Sequence, residues 1–196
     1  MKFYAFAKFV MTTFFKIKGC RVQGLDNVPS EGPFIVACNH ISFWDPLIVA
    51  CALPRPVTFM AKEELFKVFI LRKIVIWLGA FPVKRGQGDI GAIRKSLAVL
   101  RDGKILGIFP EGTRSKTGEI QEAMTGIALI MEKSKAPILP VKVYNSKRLL
   151  RQKRGTIGII IGKPIYASSI KIPENIDDRR LWLANHIMKQ IDNLGN

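Results

Sequence analysis

Seven short apolar runs recur along the chain, near residues 20–24, 34–38, 57–60, 80–83, 104–109, 138–143 and 156–163. Between them, near 44–52, 64–77, 89–101, 122–133 and 177–193, apolar residues return at helical spacing. Strands that alternate with helices in this way predict an α/β fold with a largely parallel sheet covered by helices. Asp89 is placed to cap one helix, and Gly103 to end it. No internal repeat or low-complexity run interrupts the order, and 196 residues suit one well-buried domain rather than two of ordinary size.

The first segment differs from the rest. On a helix turning about 100° per residue, Lys2, Lys8, Thr12, Thr13 and Lys16 gather into an arc of roughly 140°. Phe3, Phe6, Val10, Met11, Phe14, Phe15 and Ile17 cover the other side, with Phe9 as the exception. Lysines interrupt the run, so it cannot span a bilayer, and it lacks the small-residue cleavage site of a signal peptide. Residues 1–18 are therefore expected to form an amphipathic helix at a membrane interface, with residues 19–196 as the domain proper. The alternative is that the apolar side packs on the domain. The stretch from Leu65 to Leu78, charged only at Lys67, Arg72 and Lys73, leaves the same two readings open: a core helix, or one facing lipid.

Charge narrows the partners. A net charge of +16 calls for something anionic: a membrane surface, nucleic acid, an acidic carrier protein or a phosphorylated substrate. Basic tails, zinc-ligand spacing and recognition-helix signatures are all missing, which argues against nucleic acid. The odd set Cys20, Cys38 and Cys51, at apolar positions, favours a reducing compartment over a disulfide framework.

Candidate chemistry sits where strands end, the edge at which open α/β sheets bind ligands. His40 follows the run Phe34 to Cys38, and Asp45 comes after four intervening residues. With His40 on the turn and Asp45 in the first turn of the next helix, the carboxylate can take the Nδ1 proton and leave Nε2 as a base. Cys38 is an alternative nucleophile, though its place inside the strand favours packing, and Ser42 is expected to cap the helix. After Ile105 to Phe109 comes Pro110-Glu111-Gly112-Thr113-Arg114-Ser115. Arg114 offers a fork suited to phosphate, Gly112 close backbone approach, and Thr113 and Ser115 hydroxyls. A third strand end runs from Gly79 through Phe81 to Lys84 and Arg85, and a fourth carries Pro140.

With all four pieces in this order, the chain resembles the glycerolipid acyltransferases, most closely the bacterial 1-acylglycerol-3-phosphate acyltransferases. The likeness spans roughly Lys18 to Pro164. His40 and Asp45 match the first motif, Gly79, Phe81 and Arg85 the second, Phe109 to Ser115 the third, and Ile138 to Val141 the fourth. The resemblance implies transfer of a fatty acyl group from an acyl carrier protein or coenzyme A thioester to the sn-2 hydroxyl of a lysophosphatidate, making phosphatidic acid. It also implies that residues 19–196 are an acyltransferase domain, with neither metal nor cofactor beyond the thioester substrate. His40 would be the general base and Asp45 its partner. Arg85, Glu111, Gly112, Thr113 and Arg114 would bind the acceptor, with the two arginines on its phosphate and Glu111 placing the glycerol or Arg114, while Pro140 would shape a wall near the acyl chain. Backbone amides at the start of the helix after His40 are the expected oxyanion donors.

In one respect the chain departs from the pattern. Many relatives carry a lysine just before the glycine that corresponds to Gly126, where this chain has Ala123-Met124-Thr125. Lys116 or Lys133 could supply that contact. The expected setting is the cytoplasmic face of the cell membrane, as a peripheral or monotopic protein. Rival readings are acylation of another lysolipid or of glycerol 3-phosphate, a hydrolase using water, and a basic nucleic-acid-binding module. The basic segment Lys147 to Arg154 reads as a solvated loop or a docking patch, and His186 as structural.

Overall fold

The strand after Gly32 lies at the centre of the molecule because its side chains are buried on both faces. In a computed structural model, which describes residues 2–77, 79–83, 89–151 and 153–195, Phe34, Val36 and Cys38 enter one core while Ile35 and Ala37 enter another. A continuous apolar run with both faces covered is the mark of a parallel sheet between helical layers.

The strands are β1 (Arg21–Gln23), β2 (Ile35–Cys38), β3 (Val57–Lys62), β4 (Phe81–Val83), β5 (Ile105–Ile108), β6 (Ile138–Tyr144) and β7 (Gly158–Ile161). The helices are α1 (Lys2–Ile17), α2 (Asp45–Ala52), α3 (Phe69–Trp77), α4 (Ile90–Arg101), α5 (Gly126–Ser134) and α6 (Arg179–Asp192). The sheet order is β1-β7-β6-β2-β5-β3-β4. Every neighbouring pair is parallel except β6 and β7, which run antiparallel with Val141 opposite Ile161. One face is covered by α1 and α2 with Ile74 of α3, and the other by α4, α5 and α6. The expected α/β sheet covered by helices is therefore present, and the carboxyl ends of β2 and β5 lie side by side at its middle.

Three elements differ from the sequence expectation. The helix expected over 64–77 opens as a 3-10 turn, Glu63–Phe66, and is α-helical only from Phe69. The helix expected over 122–133 begins at Gly126, because the residues before it are held from outside: the Ala123 amide donates to Asn185 Oδ1, and the Met124 amide to Pro110 O. The third is α1, which is rotated relative to the expected partition. Phe15 is buried and Met11 and Phe14 pack on the core, so α1 is docked on the domain. Lys8, from the expected solvent arc, instead donates to Leu53 O at the end of α2 (2.7 Å). A cation at a helix C-terminus meets unpaired carbonyls and the negative end of the dipole, which explains the turn. The outward side then mixes exposed Phe9, Val10 and Ile17 with Thr13 and Lys16.

Candidate active site

β2 delivers His40 to the sheet edge, and two polar anchors fix where it emerges. Asn39 is buried, its Nδ2 donating to Val143 O (2.9 Å) and its Oδ1 accepting from the Val143 amide (2.7 Å), which locks the end of β2 to β6. The loop after β5 grips the backbone of His40 from the other side. Its amide donates to Glu111 Oε1 (2.7 Å), and its carbonyl accepts from the Ser115 amide (2.7 Å). The imidazole stacks on Phe109, ring centroids 4.2 Å apart, and Phe109 stacks in turn on Phe59. Gly107 makes that column possible, since a Cβ there would meet the Phe59 ring at 2.5 Å.

The chain turns directly into α2, with Asp45 in its first turn and Pro46 behind it, a position where the missing proline amide costs nothing. The His40 side chain is 12% exposed and that of Asp45 is fully buried. His40 Nδ1 lies 3.0 Å from Asp45 Oδ2. The same oxygen accepts from the Ile41 and Ser42 amides, each at 2.7 Å. The other oxygen, Oδ1, accepts from Ser146 Oγ at 2.5 Å. Ser146 is itself fully buried and follows Asn145, whose left-handed backbone turns the chain inward after β6. With the carboxylate so furnished with donors, it accepts from an Nδ1–H, and in the neutral ring the lone pair then lies on Nε2.

One expectation does not hold and another is narrowed. Ser42 does not cap α2: its Oγ accepts from the Trp44 amide, the residue preceding the helix, which makes a local turn. Of the amides expected to serve an oxyanion, those of Ile41 and Ser42 serve Asp45 and that of Trp44 serves Ser42, which leaves that of Phe43, a residue of the groove lining, as the candidate in this turn.

Gly112 stands in the left-handed region at φ +68°, a backbone conformation that favours glycine at the turn after Glu111. Glu111 is buried; its second oxygen accepts from the Gln121 amide (3.3 Å). Burial raises its pKa, partly opposed by the bonds from the His40 and Gln121 amides. Thr113 Oγ1 donates to Gln121 Oε1 (3.4 Å), and Ser115 Oγ accepts from the Gly118 amide. Arg114 is exposed and meets no carboxylate among the described residues. It faces a groove of about 640 Å³ bounded by Ile41, Ser42, Phe43 and Trp44 on one side and Thr113, Arg114, Ser115, Lys116 and Lys147 on the other. Its three cations have no acidic counterpart in the lining.

The structure therefore brings His40, Asp45, Glu111, Gly112, Thr113 and Arg114 together, and adds three residues that sequence reasoning gave no role in the cluster. These are Asn39, Ser146 and Lys147, whose Nζ donates to Lys116 O. Ser146 and Lys147 follow β6 and come to the site only through strand order, so no local signal marks them. Lys116 lines the groove and Lys133 does not. Arg85 lies outside the described residues. Pro140 is not brought to this cluster. It pairs with Ala37, whose side chain enters the opposite core, and borders a separate cavity of about 310 Å³ with Gly162, Lys163 and His186. Strand alternation decides this: Leu139 and Val141 face the core behind His40, so Pro140 must face away. Cys38 is buried in that core, and burial pushes its thiol well above the usual range, leaving no reactive thiolate. His186 stacks on Trp182 and is not part of the groove lining.

Comparison with known proteins gives the family. A family model described as Acyltransferase matches residues 19–144. A 1-acyl-sn-glycerol-3-phosphate acyltransferase of Bacillus subtilis is 32% identical over 152 residues, covering 76% of this chain and 74% of that protein. A protein of the same name from Borreliella burgdorferi is 33% identical over 127 residues, but the match spans 64% of this chain and only 51% of that longer protein. The crystal structure of the 1-acyl-sn-glycerophosphate (LPA) acyltransferase from Thermotoga maritima superposes with a TM-score of 0.70 at 22% identity, over 99% of this chain and 82% of that one, a likeness of fold. On the family model and the Bacillus relative together, this chain belongs to the acyltransferase family.

Proposed function

We propose that the protein transfers a fatty acyl group from an acyl carrier protein or coenzyme A thioester to the sn-2 hydroxyl of 1-acylglycerol 3-phosphate, yielding phosphatidic acid. The observation that carries the reading is the Nδ1 to Oδ2 contact of 3.0 Å between His40 and Asp45, set beside a groove bearing Arg114, Lys116 and Lys147. Relatives bearing that name support the choice of acceptor.

In this mechanism Nε2 of His40 takes the hydroxyl proton as the oxygen attacks the thioester carbonyl. A carbon–oxygen bond forms, the tetrahedral oxyanion collapses, the carbon–sulfur bond breaks, and the imidazolium returns the proton to the departing sulfur. Asp45 supports the imidazolium without taking its proton. General base catalysis of this kind contributes ~10² to 10⁴ in rate, with the remainder from positioning. Arg114 binds the acceptor phosphate with Lys116 and Lys147, and Arg85 remains a proposed second contact. Glu111 and Ser115 act on the backbone of His40, so the loop that binds the phosphate also sets the base.

The same reading places the protein peripherally at the cytoplasmic face of the membrane, where its acceptor resides and where Cys20, Cys38 and Cys51 stay reduced. Among the described residues no helix is long and apolar enough to cross a membrane. The test is purified protein with a labelled acyl thioester and a panel of lysolipids and glycerol 3-phosphate, with products identified by mass. Labelled phosphatidic acid is the expected product. Release of free fatty acid alone would mean a hydrolase, and product only from another acceptor would replace lysophosphatidate.

A further inference from the structure

α3 presents apolar residues to solvent on the side where a surface helix ordinarily carries polar ones. Its inner side is accounted for, with Val75 buried and Ile74 packed on the core shared with α2. On the outer side stand Phe69, 72% exposed, and Ile76, 55% exposed. They are seven residues apart, hence on one stripe two turns long. Val68 and Ile70 broaden its N-terminal end at 51% and 69% exposure. Arg72 and Lys73 are exposed on its two flanks, and Lys73 Nζ stands 4.4 Å from the centroid of the Phe69 ring. The neighbouring acids are already engaged, Glu63 with Lys67 and Glu64 with Lys62, and no carboxylate pairs with Arg72 or Lys73 among the described residues.

We propose that this stripe of α3 docks the enzyme on an anionic lipid surface, the apolar side chains entering the headgroup boundary and Arg72 and Lys73 meeting acidic headgroups. The inference rests on the lipid acceptor proposed above. Apolar centre with cationic flanks is the pattern of a helix lying in a bilayer interface. A second copy of the chain fits poorly, since a two-fold contact would set Arg72 and Lys73 against their counterparts in a molecule of net charge +16. Position agrees as well. α3 lies on the same face of the sheet as α2, and the His40 ring rests there through Phe109 on Phe59. Docking by α3 thus sets the bilayer against the same face of the sheet on which the His40 ring rests.

Flotation of the full chain with phosphatidylcholine vesicles, with and without phosphatidylglycerol, tests this. The unaltered protein should float with the phosphatidylglycerol vesicles. F69E/I76E should bind them at least about tenfold more weakly. R72Q/K73Q should lose about fivefold per cation, together with most of the salt dependence. Leu181→Glu, an exposed change on α6 across the sheet, should bind normally. Circular dichroism checks that each variant is folded. Turnover on a short-chain lysophosphatidate dissolved as monomer should survive F69E/I76E, which separates docking from catalysis. Undiminished flotation of folded F69E/I76E overturns the proposal, as does conversion of a dimer to a monomer by the same change, or equal loss on the soluble acceptor. Failure of the unaltered protein to acylate any lysolipid would instead remove the acceptor reading while leaving the vesicle result standing.

Discussion

The two sides of the groove are built on opposite principles. On the Asp45 side the carboxylate is buried and both of its oxygens are engaged: it collects the His40 ring, two amides and the Ser146 hydroxyl. On the Arg114 side the cations are exposed, and Arg114 meets no described carboxylate. The contrast follows from the task. A base must be held in one rotamer and one tautomer, which takes several bonds from a low-dielectric surrounding. A phosphate that arrives and leaves with its lipid is better met by side chains that stay solvated until it binds, and whose charge is not already neutralised.

Substitutions on the rigid side should act on turnover and on folding. The largest effect is expected for His40→Ala, with kcat reduced ~10² to 10⁴ and the acceptor KM little changed. Asp45→Ala should approach that loss and also lower stability by about 3 kcal/mol, because the Ser146 hydroxyl and two buried amides lose their acceptor. Steady-state kinetics and urea melts separate the two effects. A near-normal kcat for His40→Ala would remove the mechanism.

Ser146→Ala should be milder, reducing kcat by about tenfold with KM retained, since one of the carboxylate's supports is gone while the His40 contact stays. Its signature is a displaced acid limb in the pH profile of kcat/KM, which a purely structural residue would leave in place. On the open side the split reverses. Arg114→Ala should raise the acceptor KM by about tenfold, leave kcat close to normal and flatten the dependence of KM on salt. Equal loss of kcat in both variants would erase the distinction between the two sides.

The smallest effect concerns Glu111. Burial raises its pKa above the unfolded value, so its contribution to stability is fully present below the ordinary carboxylate range and is lost as pH rises through the raised value. Melting temperatures from mildly acidic to neutral pH should therefore decline more steeply in the unaltered protein than in Glu111→Gln.

How much of this could be read in advance depends on what held each part. The strands and most helices were legible because burial on both faces or on one stripe writes a period into the sequence, and His40 and Asp45 because their bond is local. α1 was misjudged since an ideal wheel assigns Lys8 to water, whereas the exposed carbonyls at the end of α2 attract it inward. Pro140 sits in a recognisable motif, yet strand alternation sends it to the other face of the sheet. Ser146 lies 101 positions from Asp45, beyond any pattern that spacing can reveal.

What the amino-acid order determined by itself was the alternation of elements, the strand ends where polar groups gather, the positive charge and the pairing of His40 with Asp45, all consequences of short-range sterics and periodic burial. The tertiary structure alone decided which distant groups complete that pair, which face of α1 turns inward, and which apolar stripe of α3 is left in water. Those outcomes depend on strand order and helix docking, where contacts between residues far apart in the chain compete and only the assembled packing shows which of them prevail.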